Sequence, residues 1–322
     1  MNIIPAALIS GSITLILSYI LSVYLSRKFK QLGIVGHDVH KPTKPVTAEM
    51  GGLSVLISCI TGIVVFRVLY AAIPVVFLAA ATTILLVGLV GVIDDLFPLR
   101  QRYKPFLVAA ASVPLAYSLL GTNSIALPLV GSIPFGILLP VAIVPLAVTT
   151  SANLSNMLAG FNGLETGCTV IALVALTFLA ALKGSSSGSE LGLVFLAGYL
   201  GLLVLNWYPS KIFPGDTGTL MAGAVIVTIG LISGLVFAAA VVSIPAGFDF
   251  ALKISTKRPF AARTLHGNTQ VSSNGVLRPP DYPALTHAFM KVTPLKETGL
   301  VSSILAMEAV YAILAITLTL VL

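Results

Sequence analysis

Ile73-Pro-Val-Val-Phe-Leu-Ala-Ala-Ala-Thr-Thr-Ile-Leu-Leu-Val-Gly-Leu-Val-Gly-Val-Ile-Asp94-Asp95 runs without a charge from Ile73 to Ile93 and then ends on two successive carboxylates. A helix of about 20 apolar residues crosses the hydrocarbon layer of a bilayer. It also closes its own backbone hydrogen bonds, as a lipid solvent requires. The stretch therefore reads as a membrane-spanning helix with acid at one end only.

The rest of the chain follows suit. Of 322 residues, 57% are hydrophobic and 9% charged, with a mean hydropathy of +1.03. Soluble domains carry about a quarter charged residues, so a soluble fold is excluded. Ten spans are expected, near 3–25, 51–69, 73–95, 106–120, 134–158, 167–183, 190–206, 217–235, 236–254 and 298–321, with a turn around Gly234 dividing the eighth from the ninth. The expected fold is all-α and polytopic, one integral membrane domain over residues 1–322. The run from Ile3 to Leu25 is too long for a signal-peptide core and has no basic residue before it, so it reads as a retained span. Cys59 and Cys168 lie in or beside apolar stretches and read as packing residues.

Charge distribution predicts orientation. With both termini outside, connections near 26–50, 96–105, 159–166, 207–216 and 255–297 face the cytoplasm. All Lys and Arg except Arg67 and Lys183 then fall in these segments or at adjoining helix ends. That is the positive-inside pattern, and it accounts for the net charge of +7 without nucleic acid. Asp38, Glu49, Asp94, Asp95, Glu165, Asp216, Asp281 and Glu297 gather at the same face. Glu190 is external, and Glu308 sits inside the last span, where an ionisable group needs a partner.

Some inner-face residues exceed what orientation requires. Asp94 and Asp95 face the negative end of their helix dipole and repel each other, so a cation is expected nearby. Arg100, Arg102 and Lys104 supply it if these are ordinary interfacial charges; a metal or phosphate site is the functional alternative. Asn153 and Asn156 share a helix face and are followed by Asn162 among Gly160, Gly163 and Gly167. One such amide suits helix–helix hydrogen bonding. Three beside glycines suggest a backbone that approaches a ligand. Asp216, in Phe213-Pro-Gly-Asp-Thr, reads as a helix N-cap or as a ligand of a hard cation. Glu165 with Thr166 reads as a second cap. The 255–297 loop carries Lys257, Arg258, Arg263, His266, Arg278 and Lys291, which either enforce topology against anionic lipid or clamp a diphosphate. His37, His40 and His287 have no assigned role, and no Cys/His cluster suggests zinc.

Together these motifs resemble the polyprenyl-phosphate N-acetylhexosamine-1-phosphate transferases. The resemblance rests on Gly91-Val-Ile-Asp94-Asp95 with Leu99 and Lys104, on Asn153 to Glu165, on Phe213-Pro-Gly-Asp216-Thr, and on Asp38, Lys41, Lys44 and Glu49-Met-Gly-Gly. It runs from about residue 36 to 291. Ala159-Gly-Phe-Asn162-Gly-Leu-Glu165 and Asn274-Gly-Val-Leu-Arg-Pro-Pro look like the archaeal and eukaryotic enzymes that act on dolichyl phosphate in protein glycosylation. Pro214 departs from the family's small aliphatic residue, and the basic motif of the last loop is poorly matched.

The resemblance implies transfer of GlcNAc 1-phosphate from UDP-GlcNAc to a polyprenyl phosphate, with release of UMP. It implies Mg²⁺ or Mn²⁺ on Asn156 and Asp216, and catalytic roles for Asp94, Asp95, Lys104 and Asp216. It implies substrate contacts at Lys41, Glu49, Asn153, Asn162, Gly163, Arg258, Arg263 and His266. The membrane lipid and a homodimeric partner remain open as further contacts. The bacterial phospho-MurNAc-pentapeptide transferase is the near alternative, but it carries a His-rich last loop. A secondary transporter and an inactive scaffold relative are rivals of other classes. Transporter sites lie near the midplane, whereas these acids sit at span ends, and the intact acid and Asn set argues for activity.

Overall fold

The computed structural model describes residues 3–70, 72–256 and 269–322. Among the described residues, eight helical segments are long and apolar enough to cross a bilayer. They are α1 (Ile3–Leu32), α2 (Gly52–Leu69), α3 (Val75–Leu96), Leu139–Leu158, α7 (Leu164–Leu182), α8 (Ser186–Asn206), α9 (Gly215–Ile232) and α13 (Glu297–Val321). The segment Leu139–Leu158 opens on a π turn, Leu139–Ile143, and continues as α6 (Val144–Leu158). This is a multi-pass all-α membrane protein.

Two expected spans take other forms. The ninth, 236–254, is a pair, α10 (Val236–Val242) and α11 (Ile244–Ile254), bent by 58°. The fourth, 106–120, is divided into α4 (Lys104–Ala111) and α5 (Val113–Ser118), neither long enough to cross alone. Pro114 and Pro245 follow these breaks; proline lacks an N–H and crowds the preceding turn, so neither helix continues unbent. Gly234, at φ +64°, makes the turn expected between the eighth and ninth spans.

Segments read from sequence as plain connections contain short antiparallel ribbons: β1 (Val35–His37) with β2 (Val46–Ala48), β3 (Ser124–Leu127) with β4 (Gly131–Pro134), and β5 (Gln270–Val271) with β6 (Leu277–Arg278). A last short helix, α12 (Leu285–Val292), precedes α13.

Lipid-facing and interior surfaces are inverted relative to a soluble bundle. On α1, Ser10, Gly11, Thr14, Ser18 and Ser22 are buried, whereas Ile4, Leu8, Ile16 and Ile20 are exposed. The buried hydroxyls bind across helices: Ser10 donates to Gly62 O (2.7 Å) and Ser18 to Gly198 O (2.6 Å). Apolar faces need no burial in lipid, so small residues and hydrogen bonds mediate helix contact.

α9 is the central element, packed against α2, α3, α6, α7, α8 and α10. Glycine permits its closest crossings. A Cβ at Gly91 would lie 2.4 Å from Thr217 Cα, and one at Gly52 would lie 2.1 Å from Gly218 N. These contacts bring the C-terminal end of α3 onto the N-terminal end of α9. Gly91→Val is therefore expected to force α3 away from α9, cost roughly 1–3 kcal/mol by overpacking and abolish activity. Thermal unfolding in detergent and turnover check this, with Gly121→Ala, whose Cβ meets nothing within 4 Å, as the unperturbed control.

Candidate active site

The two carboxylates that close α3 solve their electrostatic problem separately. Asp95 Oδ1 accepts the Asp216 N–H (2.7 Å), and Oδ2 accepts the Thr217 N–H (3.0 Å) and hydroxyl (2.6 Å). Asp95 thus caps the positive end of the α9 dipole from a neighbouring helix. The N-cap role expected of Asp216 belongs to Asp95, and Asp216 is left free to project its side chain. Gly215, at φ +67°, makes the cap possible, since a Cβ there would lie 2.7 Å from Asp95 Oδ2.

Asp94 is buried. Its Oδ1 accepts the Leu99 N–H (2.7 Å), and its Oδ2 pairs with Lys104 Nζ. Of the three candidate cations only Lys104 is buried here; Arg102 lies over the Tyr103 ring, 4.8 Å from its centroid. Lys104 Nζ also donates to Asp216 Oδ2 (2.9 Å). One ammonium therefore joins Asp94 to Asp216. On its other oxygen, Asp216 accepts from Asn156 Nδ2, which also donates to Thr219 Oγ1 (2.8 Å). The Asp216 side chain is 31% exposed, against 5% for Asp94, so Asp216 is the member of the chain that meets solvent.

Asp216 looks into a cavity of about 600 Å³ whose wall also includes Glu49, Asp95, Asn153, Asn156 and Phe213. Hydrogen bonds from Phe213 N to Ala48 O (2.8 Å) and from Gly51 N to Phe213 O (2.7 Å) tie the connection between β2 and α2 to the start of α9 and so place Glu49 on the wall. Partial burial, then the charge of Asp216, raises the Glu49 carboxyl above its ordinary pKa. Asn153 anchors its amide nitrogen on Thr149 O (2.8 Å).

Lys41 and Asn162 do not line that cavity themselves but are joined, in a largely buried network, to Asp38, which does. Lys41 Nζ contacts Asp38, Asn162 Oδ1 (2.7 Å) and Glu297 Oε2 (3.0 Å), and stands 4.6 Å from the Tyr208 ring centroid. Asn162 is 2% exposed; it donates its backbone N–H to Glu297 Oε1 (2.8 Å) and its amide to Asp38 Oδ2 (3.1 Å), and accepts from Ser210 N (2.8 Å). Its polar atoms are engaged within the protein, so it braces three loops against α13. Gly163 begins α7 at φ +78°, with no room for a Cβ beside Trp207 (2.9 Å). Arg258, Arg263 and His266 lie outside the described residues.

Two features near the cavity escaped the sequence reading, a Lys253–Asp249 pair and the role of Glu297. Lys253, on the cavity wall, pairs with buried Asp249 (2.6 Å) four residues earlier. An acid and a base one turn apart inside an expected span was the signal for them. Glu297 was placed at the inner face but not recognised as the anchor of the Lys41 network.

Asp216 and Asn156 offer the carboxylate and amide donors that Mg²⁺ accepts, and the exposed carboxylate faces open space. Asp38, His40 and Glu297 also bring potential ligand atoms within 4.8 Å of one another. There, however, Lys41 already compensates both acids, and His40 stacks on Phe161 (4.0 Å).

A bundle of apolar helices with an acid-rich cavity at one set of helix ends is a membrane-embedded site suited to a charged group. The chain belongs to glycosyl transferase family 4, whose sequence profile matches residues 75–234. It is 36% identical to a Saccharolobus solfataricus protein provisionally named UDP-N-acetylglucosamine–dolichyl-phosphate N-acetylglucosaminephosphotransferase, over 98% of this chain and 97% of that one. A Sulfolobus acidocaldarius protein of the same name is 31% identical over 89% of this chain and 88% of its own. The phospho-N-acetylmuramoyl-pentapeptide-transferase of Staphylococcus carnosus is 30% identical, covering 83% and 90% respectively. The protein is a sugar-phosphate transferase.

Proposed function

We propose that this protein transfers N-acetylglucosamine 1-phosphate from UDP-GlcNAc to a polyprenyl phosphate of the dolichyl type, the first membrane step in building a lipid-linked oligosaccharide for protein glycosylation. The observation that carries this reading is the Asp94–Lys104–Asp216 chain opening on a cavity at the helix ends. A phosphate oxygen of the lipid attacks the phosphorus attached to the sugar, the bond to UMP breaks, and UMP leaves. Both reactants are anionic, so placement and charge compensation dominate the barrier. Mg²⁺ held by Asp216 and Asn156 would neutralise the diphosphate. Lys104 adds fixed positive charge next to it. Asp95 holds the start of α9, and with it Asp216, in register. The lipid phosphate is already largely ionised near neutral pH, so Asp94 serves to position Lys104 rather than to remove a proton.

The positive-inside pattern supports a cytoplasmic active site in the cell membrane. The muramoyl-pentapeptide alternative is disfavoured by His287. Its ring nitrogens meet Tyr282 O (2.9 Å) and Thr269 Oγ1 (3.5 Å), and burial lowers its pKa, so it is committed to the loop's own structure. The transporter alternative is disfavoured by a cavity at helix ends rather than at mid-span.

Purified protein supplied with UDP-GlcNAc, a polyprenyl phosphate and Mg²⁺ is expected to release UMP. Chelation should stop release, and added Mg²⁺ should restore it. No UMP from any UDP-HexNAc donor across several lipid lengths would refute the proposal.

A further inference from the structure

Asn156 and Asp216 stand at the ends of two helices, and each end is held by a charge from elsewhere in the chain. Ser151 donates to Gly223 O (2.7 Å) and Asn156 to Thr219 Oγ1 (2.8 Å), so α6 and α9 run antiparallel. The C-terminal end of α6 thus lies beside the N-terminal end of α9. Asp95 caps that end of α9. The matching end of α6 belongs to Lys253, whose Nζ donates to Met157 O (2.5 Å) in the last helical turn. Ala159 leaves α6 in an extended conformation (ψ 158°), which turns the chain away from that carbonyl. An ammonium at a helix C-terminus satisfies an orphaned carbonyl and meets the negative end of the dipole.

Lys253 is itself fixed. It lies in the last turn of α11, which packs on both α6 and α12. Its Nζ pairs with Asp249 Oδ2 (2.6 Å), and Asp249 is 1% exposed. The other oxygen, Asp249 Oδ1, accepts the Leu285 N–H (2.9 Å) at the start of α12. One acid and one base on α11 therefore clamp the start of α12 to the end of α6. Met157 adjoins Asn156, so the clamp holds the peptide next to the amide that reaches Asp216.

We propose that Lys253 is a positioning residue for the metal pair: by capping α6 from α11 it fixes where Asn156 meets Asp216. The inference rests on the reading of those two residues as the Mg²⁺ ligands. An ammonium has three donors, and two of these are spent on Asp249 and Met157 O. Its work is therefore done through α6, although its side chain is on the cavity wall and 20% exposed. Groups that orient a metal ligand in this way are each worth about 10–100-fold in metal affinity.

The test uses the full chain in detergent and the double variant Lys253→Met/Asp249→Asn. Lys253→Met alone would strand the buried Asp249 carboxylate and confuse the result. In the double variant the residue 249 amide oxygen still accepts from Leu285 N, so the Tm should stay close to wild type. Hydrogen–deuterium exchange without substrate or metal should quicken about fivefold or more at the end of α6, as expected when a helix end loses its cap. Mn²⁺ binding, followed by its EPR signal, should weaken about tenfold or more, and half-maximal UMP release should need correspondingly more Mg²⁺. At saturating Mg²⁺ most of the turnover should return. Lys253→Arg, which can still donate to both partners, should keep wild-type exchange and metal affinity. Wild-type metal affinity in the double variant would overturn the proposal. So would turnover lost at every Mg²⁺ concentration with unchanged exchange in α6, which would make Lys253 a direct substrate contact. Exchange and Mn²⁺ binding are read without UDP-GlcNAc, so wild-type protein that released no UMP would refute the transfer reaction and leave this inference to its own measurements.

Discussion

Asp216→Ala is expected to lower the rate of UMP release at least about 100-fold, the scale seen when one preorganised charge-stabilising group is removed from an active site. The geometry concentrates that effect on one residue. Among the described residues Asp216 is the only carboxylate joined both to Lys104 and to Asn156, and its side chain, on the cavity wall, is 31% exposed. Asp216→Asn separates its duties. The amide oxygen still accepts a hydrogen bond, but the charge is gone, so half-maximal activity should require much more Mg²⁺. The fold should survive, because the start of α9 is capped by Asp95 and not by residue 216. A melting curve close to wild type together with lost turnover is the expected combination. Wild-type turnover in both variants would remove Asp216 from the site.

The architecture was legible where the physics is one-dimensional. Hydrocarbon thickness sets span length, so the runs that became α1, α3 and α13 stood out. Breaks at Pro114 and Pro245 were harder, because a divided span keeps the hydropathy of a whole one. The ribbons were missed because strands of two to four residues leave no periodic signal. At the site, the residue types pointed to Asp94, Asn156 and Asp216 because acids and amides at span ends demand partners, whereas Lys104 was set apart from Arg100 and Arg102 by the family resemblance. Which partner each takes is a matter of helix crossing. The pairing of Asp95 with the α9 N-terminus depends on Gly91 and Gly215 permitting close approach, at a sequence separation of 121 between Asp95 and Asp216. Likewise, Asn162 reads as a ligand residue in sequence, yet its surroundings engage it with Lys41, Asp38, Glu297 and Ser210.

Lys104→Met should both destabilise the protein and inactivate it, and the two losses can be separated. The Lys104 and Asp94 side chains are 4% and 5% exposed, so removing the ammonium strands a buried carboxylate with the Leu99 N–H as its one remaining donor among the described residues. Breaking a buried pair from one side costs about 3–5 kcal/mol, most of it from the charge left behind. Adding Asp94→Asn removes that charge. The double variant should therefore recover much of the lost Tm, a non-additivity that a double-mutant cycle measures directly. Turnover should not recover, because Asp216 still lacks the cation that fixes its Oδ2 and adds positive charge at the cavity lip. A double variant that regains UMP release would mean that Lys104 acts only by holding Asp94. A Lys104→Met protein as stable as wild type would mean that the ion pair at the end of α3 contributes nothing to the fold.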